Sequence, residues 1–266
     1  MNPVMQVLLS RRSVRAYEDR PVEDEVKQEV LRATLRAPTA GNLMLYSIID
    51  VTRQAAKVTL AVTCDHQPFI ARAPWVLLFL ADYQRTYDYF TACGVPEWCQ
   101  RNGRTLATPE ESDLLLACCD ALIAAHTAVI AAESLGLGSC YIGDILENDE
   151  AHRLLFDLPP YTFPICLLCF GYPTEQQKLR TQPPRFGQEY IVFGDHYQRH
   201  DSATLTRMYA AMEADFARGP RPEGIENLGQ AMYTRKFDAQ FNHEARRSVK
   251  AMLDRWVKGE NQEVQR

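Results

Sequence analysis

Long runs of basic residues are absent from this sequence. Its 266 residues include 29 lysines and arginines against 34 aspartates and glutamates, which gives a formal net charge of −5. A nucleic-acid-binding protein usually presents a basic stripe to the phosphates, so this balance argues against a nucleic-acid partner. The first residues show no basic segment followed by an apolar one, and we therefore expect no signal peptide.

A disulfide framework is also lacking, although cysteine is not scarce. The eight cysteines lie mainly in apolar stretches, at positions 64, 93, 99, 118, 119, 140, 166 and 169. This distribution is typical of reduced thiols and favours a cytoplasmic protein. Cys166 and Cys169 are three residues apart in a predicted strand, so their side chains should point to opposite faces as buried structural residues. We expect Cys118 and Cys119 to be buried as well.

Metal ligands with the spacing of a known site are missing. The pair Cys166 and Cys169 has no second pair of zinc ligands nearby, so we expect no metal. His196 and His200 have i, i+4 spacing, and they could share a metal ion only if that segment were helical and a third ligand were present.

One long apolar segment is present, from Leu114 to Ala132. Asp120 interrupts it and His126 lies within it, and both groups are costly inside a bilayer. A helix that is apolar on nearly all sides is otherwise a core helix or an oligomer-interface helix. We therefore predict a buried helix here and no association with a membrane.

Hydrophobic periodicity predicts a few strands among longer helices. The helices are expected over 23–36, 113–135 and 148–156, and the strands over 46–51, 75–81 and 164–170. This mixture indicates an α+β domain with helices packed on a sheet. We assign residues 1–194 to this domain and 195–266 to a helical C-terminal extension. The aromatic-rich residues 83–112 are expected to form a lid-like insertion, with plain packing as the alternative for each aromatic side chain.

Three arginines are concentrated near the start of this acidic protein. Arg11, Arg12 and Arg15 offer forked donors that match the oxygens of a phosphate. The Ser13 hydroxyl can complete the cradle. The segment therefore indicates a phosphate clamp, with a solvated helix face as the alternative.

Other segments are also suited to hold a ligand. Residues 37–42 combine small side chains with an asparagine, which allows close approach and hydrogen bonding to a flat ligand. Residues 135–143 form a glycine-containing loop that could present backbone N–H groups. A second basic group follows residues 171–173 and consists of Lys178, Arg180 and Arg185. Taken singly, each segment is also consistent with an ordinary turn.

Together, these segments resemble the nitroreductase family of FMN-dependent oxidoreductases. The resemblance spans about residues 5–190 and rests on five short motifs in the same order, at 11–15 (in a first helix), 37–42, 67–74, 136–143 and 170–173 with Lys178 and Arg180. It implies an α+β sandwich with a mostly antiparallel sheet flanked by helices. It also implies an intertwined homodimer with FMN at the subunit interface and the long apolar helix in the dimer core.

The resemblance implies cofactor-binding residues but no catalytic side chain, because the flavin carries the chemistry. The residues expected at the cofactor are Arg11, Arg12, Ser13, Arg15, Pro38, Thr39, Ala40, Asn42, Cys140, Tyr141, Ile142, Gly143, Lys178 and Arg180. The first four would hold the phosphate, the ribityl chain and the edge of the ring. Asn42 would reach the ring from the neighbouring subunit.

The implied activity is hydride transfer from NAD(P)H through FMN to a small oxidised acceptor, such as a nitroaromatic compound or a quinone, by a ping-pong mechanism. Two alternatives would use the same site. One is another FMN reaction, such as reductive dehalogenation or flavin fragmentation, and the other is FMN binding without catalysis. The sequence departs from many family members at Met44, Leu45 and Tyr46, where they carry Gln-Pro-Trp. It predicts neither the physiological acceptor nor a preference between NADH and NADPH.

Overall fold

Four antiparallel strands form the central sheet. In the computed structural model, which describes residues 1–259, the strands are β1 (Tyr46–Asp50), β2 (Trp75–Asp82), β3 (Gly138–Ile142) and β4 (Thr162–Gly171). Their order in the sheet is β1-β2-β4-β3. The three predicted strands are present, whereas β3 lies where the sequence predicted a loop. Its five residues pair with β4 from Gly138 opposite Gly171 to Ile142 opposite Leu167.

Helices cover both faces of the sheet, and the predicted α+β class is confirmed. The helices within residues 1–259 are α1 (Pro3–Ser10), α2 (Asp24–Thr34), α3 (Gln54–Thr63), α4 (Phe69–Arg72), α5 (Gln84–Ala92), α6 (Val95–Arg101), α7 (Glu111–Ser134), α8 (Asp149–Phe156), α9 (Glu175–Lys178), α10 (Ser202–Arg218), α11 (Leu228–Met232) and α12 (Gln240–Lys258). A π-helical turn covers Tyr233–Phe237, and 3-10 turns cover Ala40–Asn42, Asp144–Leu146 and Gln188–Tyr190.

The long helix α7 is buried on one side only. Its buried residues, most of them alanines, pack on the sheet, because a small side chain lets the helix approach the strands closely. Its opposite face exposes Leu115, Leu116, Cys119, Leu122, Ile123 and His126. Within a single chain the prediction of a buried helix therefore holds for one face of α7, and the prediction that Cys119 is buried is wrong. The helix ends where Gly136 takes a φ of +83° and Leu137 N–H donates to the Ala132 carbonyl at 3.0 Å.

By length and mean hydropathy, α7 is long and apolar enough to cross a membrane. Its packing against β2 and β4 and its buried Asp120, which is 2% exposed, identify it as a core helix instead. The strand cysteines follow the predicted alternation. Cys166 faces the cluster that contains α7, and Cys169 faces the cluster on the other side of the sheet.

The chain divides into two compact units. One comprises Met1–Leu179 and the chain from Glu244 onward, and the other comprises Arg180–His243. These units differ from the predicted ranges of 1–194 and 195–266, because Met252 and Trp256 of α12 are buried in a cluster with residues of the first unit. The segment 83–112 contains α5 and α6, and its role as a lid stays a prediction.

Candidate cofactor site

The basic segment 11–15 lies in extended backbone beside β3. The expectation of a first helix through these residues is wrong, because α1 ends at Ser10. Ser13 forms a parallel bridge with Ser139, and Val14 N–H donates to the Ser139 carbonyl at 2.8 Å. A Cβ on Gly138 would lie 2.5 Å from Val14 Cγ2. Glycine at position 138 therefore lets the basic segment reach the edge of the sheet.

The short helix α9 supplies the second side of the basic group. An Arg12 guanidinium nitrogen donates to the Lys178 carbonyl at 2.5 Å, and Arg15 N–H donates to Gln177 Oε1 at 3.2 Å. Lys178 Nζ lies 2.6 Å from Glu175 and 3.6 Å from Glu18, and the hydrogen bond with Glu175 raises the pKa of the lysine. The fold thus brings Arg12, Arg15 and Lys178 together from distant parts of the sequence.

Cys140 lies in β3 next to these arginines. Burial raises the pKa of its thiol, against the lowering influence of Arg15 and Arg11. A buried thiol with a raised pKa is a poor nucleophile, and a place for Cys140 beside the flavin stays a prediction. Arg15 also lies over the Phe69 ring, with 5.9 Å from Cζ to the ring centroid. This contact brings the predicted motif at 67–74 to the same edge of the sheet.

Glu133 completes this edge and was not predicted as a site residue. The Ser139 hydroxyl donates to Glu133 Oε1 at 2.8 Å, and Arg11 Nε lies 4.0 Å from the same oxygen. Burial raises the pKa of Glu133. The one signal in the sequence was a carboxylate at the end of an apolar helix, and that position alone does not reveal its partners.

The predicted loop 38–42 is organised around Asp120. The Thr39 hydroxyl donates to Asp120 Oδ2, Ala40 N–H donates to Oδ1 at 3.0 Å, and Leu45 N–H donates to Oδ2 at 3.1 Å. Asn42 has a φ of +57°, which is uncommon for a residue with a Cβ. The sequence marked Asp120 as a polar interruption of α7 but gave no sign of this role.

A cavity of about 580 Å³ adjoins the loop. It is lined by Gln28, Leu31, Leu35, Asn42, Leu43, Met44, Tyr46, Ser47, Ile48 and Arg85. Arg85, at the start of α5, donates to the Met44 carbonyl, to the Tyr46 carbonyl at 3.1 Å and to Ser47 Oγ at 2.9 Å. The first turn of the aromatic-rich insertion is therefore fastened to the strand that follows the loop.

The predicted site residues form two groups within one chain. The loop 38–42 leads into β1, whereas the basic segment 11–15 and residues 140–143 lie at β3. These strands are the two edges of the sheet, about 14 Å apart for three strand spacings. A single chain therefore does not gather both groups around one flat ring.

Four residues that the sequence singled out lie in the second compact unit. Arg180 and Arg185 belong to the unit Arg180–His243, and a role for Arg180 in phosphate binding stays a prediction. His196 and His200 lie in non-helical backbone. Their i, i+4 spacing therefore does not place both side chains on one helix face, which the alternative of a shared metal required. His200 Nε2 instead lies 2.9 Å from the Tyr190 carbonyl. Within residues 1–259, no cluster of three or more His, Cys, Asp or Glu side chains suits a metal ion.

The fold and the two groups define an α+β sandwich with a basic group at one edge of the sheet and a polar loop at the opposite edge. The nitroreductase family model matches residues 8–172, and the chain belongs to the nitroreductase family. It is 31% identical over 207 residues to an oxygen-insensitive NADPH nitroreductase of Salmonella typhimurium, covering 78% of this chain and 80% of that protein.

Further relatives agree with this assignment. An FMN reductase [NAD(P)H] of Bacillus subtilis is 32% identical over 204 residues, covering 77% of this chain and 78% of that protein. The solved structure of B. megaterium NfrA2 superposes with a TM-score of 0.77 at 28% identity, covering 97% of this chain and 98% of the other. The fold expected from the resemblance is therefore confirmed.

Proposed function

We propose that this protein is an FMN-dependent oxidoreductase that takes hydride from NAD(P)H and reduces a small oxidised acceptor, such as a nitroaromatic compound or a quinone. Relatives named as an NADPH nitroreductase and as an FMN reductase support this activity. The observation that carries the proposal in this chain is the basic segment 11–15, docked against β3 and α9 at a single edge of the sheet.

The donor set at this edge fits FMN. Two guanidinium groups, an ammonium group and a hydroxyl suit a phosphate monoester, and they belong to Arg12, Arg15, Lys178 and Ser13. Arg11 lies at the same edge beside Glu133, and Arg180 would close on the phosphate. Residues 140–143 would line the ring. When bound, FMN supplies the hydride-transfer chemistry, and the protein supplies orientation and charge.

The second group of residues would come from another copy of the chain. Pro38, Thr39, Ala40 and Asn42 lie at the edge of the sheet opposite the basic segment, so a homodimer would bring them to the partner's cofactor. The exposed apolar face of α7 supports this arrangement, because a contiguous exposed apolar patch is typical of an interaction surface. The exposed apolar residues Val4, Met5, Leu8 and Leu9 of α1 extend it.

The proposed site also implies an order of ligand binding. A nicotinamide and an acceptor would need the same face of the ring, so the first must leave before the second binds. We therefore propose a ping-pong mechanism. Double-reciprocal plots of initial rate against nicotinamide concentration, measured at several acceptor concentrations, should then be parallel. Intersecting lines would contradict it. We also propose that the enzyme is cytoplasmic, in keeping with its eight free cysteines.

The experiment that tests the function begins with the visible spectrum of the purified protein. We expect a flavin spectrum, release of FMN on denaturation, and oxidation of NADH or NADPH when menadione or nitrofurazone is added. A colourless protein that takes up no added FMN would refute the proposal. Bound FMN without reaction with either nicotinamide would leave FMN binding without catalysis as the function.

A further inference from the structure

We propose that Asp120 is a positioning residue for Asn42. The inference rests on the proposed function, in which Asn42 contacts FMN. Asp120 is 2% exposed in the middle of the apolar helix α7. Burial of a carboxylate is unfavourable unless hydrogen bonds replace its lost water, so the partners that it binds indicate why this position carries an acid.

The donors to Asp120 given above all lie in the short loop 39–45. Thr39 and Ala40 precede Asn42 and Leu45 follows it, so the two carboxylate oxygens fasten the chain on both sides of the asparagine. The Thr39 oxygen in turn accepts from Met44 N–H at 2.9 Å. Asp120 thereby closes a hydrogen-bonded ring around Asn42.

The backbone inside this ring is strained. Gly41, Asn42 and Met44 have φ values of +55°, +57° and +51°, and the left-handed region is unfavourable for the two residues that carry a Cβ. Such a conformation persists only where surrounding contacts fix it, and these conformations are concentrated at functional sites. Asp120 supplies the fixing contacts from the core.

Arg85 holds the same loop from the insertion. Its guanidinium donates to the carbonyls of Met44 and Tyr46, on the side of the loop that leads into β1. The cavity that these residues line also includes Asn42. Two charged side chains from distant parts of the sequence therefore fix the loop, and Asp120 is the one that contacts the chain on both sides of Asn42.

The first test measures backbone protection by hydrogen exchange in the full-length protein, FMN-free and FMN-loaded. In Asp120→Asn, one oxygen is replaced by an amide donor that faces other donors. We expect the amide that faces the new NH2 group, that of Ala40 or that of Leu45, to exchange at least about tenfold faster, the equivalent of one lost hydrogen bond. The matched control is Asp149→Asn, another buried acid, which is 1% exposed and binds Arg255. Unchanged exchange in Asp120→Asn would overturn the proposal.

The second test asks whether Asp120 acts through Asn42. The reduction potential and the visible spectrum of bound FMN are measured in Asp120→Asn, Asn42→Ala and the double variant. Residues that act through one contact give non-additive effects, so we expect the double variant to match Asn42→Ala. Additive shifts in the reduction potential would overturn the proposal, because they would show that Asp120 affects FMN independently of Asn42.

Two further measurements distinguish failure of this proposal from failure of the proposed function. If Asp120→Asn does not fold, Thr39→Val removes one donor from the carboxylate and should raise exchange of the Ala40 amide, and no rise would overturn the proposal. If Asn42→Ala leaves the flavin spectrum and potential unchanged, the assignment of Asn42 in the proposed function fails. The exchange measurement then decides by itself whether Asp120 holds the loop.

Discussion

The two edges of the sheet present their polar groups in different ways. The basic segment 11–15 has no residue with a positive φ, and it is held by backbone pairing with β3. The loop 38–45 has three residues in the left-handed region, and a buried carboxylate holds it. The charged side chains of the basic segment are therefore attached to unstrained backbone. Asn42 is attached to strained backbone, which hydrogen bonds to the buried Asp120 hold in place.

The largest expected effect comes from separating the basic segment from β3. Gly138→Ala would place a Cβ 2.5 Å from Val14 Cγ2, so the strand or the segment must shift. We expect a loss of about 1–3 kcal/mol in the free energy of unfolding. FMN affinity should fall by roughly 100-fold, equivalent to one strong charge-assisted hydrogen bond. Chemical unfolding and FMN titration measure the two quantities.

The matched control for that substitution is Gly194→Ala. A Cβ at Gly194 would meet no atom within 4 Å, so stability and FMN affinity should stay at the wild-type values. Equal effects of the two substitutions would show that the close approach at Gly138 is unimportant for the basic edge.

Removal of a cation should have the next largest effect. Arg12→Ala and Arg15→Ala each delete a charged donor without disturbing β3, and we expect FMN affinity to fall by about 10- to 100-fold. The loss should be smaller at high salt because ions screen the charges. Arg32→Ala is the control, because Arg32 is 82% exposed on α2 and pairs with Glu29. If Arg15→Ala retains FMN as well as this control, Arg15 does not belong to the site.

The strained backbone at Asn42 predicts a smaller effect, on stability. With a φ of +57°, Asn42→Ala should cost about 1 kcal/mol, whereas Asn42→Gly should be nearly neutral in the FMN-free protein. Urea unfolding compares the two variants. Equal stabilities would contradict the strain that distinguishes this loop from the basic segment.

The smallest effect concerns pH and the basic edge. Burial raises the pKa of Glu133, so its contribution to stability is present below about pH 4.5 and is lost as the pH rises through the raised value. The side chain in Glu133→Gln does not ionise, so this loss is absent. The free energy of unfolding of the variant, relative to that of the wild type, should therefore increase from pH 5 to pH 8. A constant difference between Glu133→Gln and wild type would contradict the assignment.

The contrast between the edges also explains what the sequence could predict. The basic edge was predictable because charge density and glycine spacing are local features, although the extended backbone of residues 11–15 was not foreseen. The strand β3 was missed because its five residues include Gly138 and Ser139, which have low strand propensity. Its partners β4 and Val14 determine its conformation.

Residues 37–42 were predictable as a ligand-binding segment, but the contacts that hold the loop 38–45 were not. Asp120 lies 75 residues beyond Leu45 in the sequence, and Arg85 lies 41 residues beyond Met44. Nothing local joins these residues, and only the packed core brings them together. The sequence left a core helix and an oligomer-interface helix open for α7 for a related reason, because apolar composition alone does not distinguish a surface that packs in the core from one that packs on another chain.

The central claim is that one cofactor site takes its basic edge from one subunit and its polar loop from the other. Co-expression of a chain carrying Arg12→Ala and Arg15→Ala with a chain carrying Thr39→Val and Asn42→Ala tests it most directly. In the purified heterodimer, one site would combine both defects and the other would be intact. We predict one tightly bound FMN per heterodimer, with wild-type affinity. Weak binding at both sites would contradict the claim, because each chain would then build its site alone.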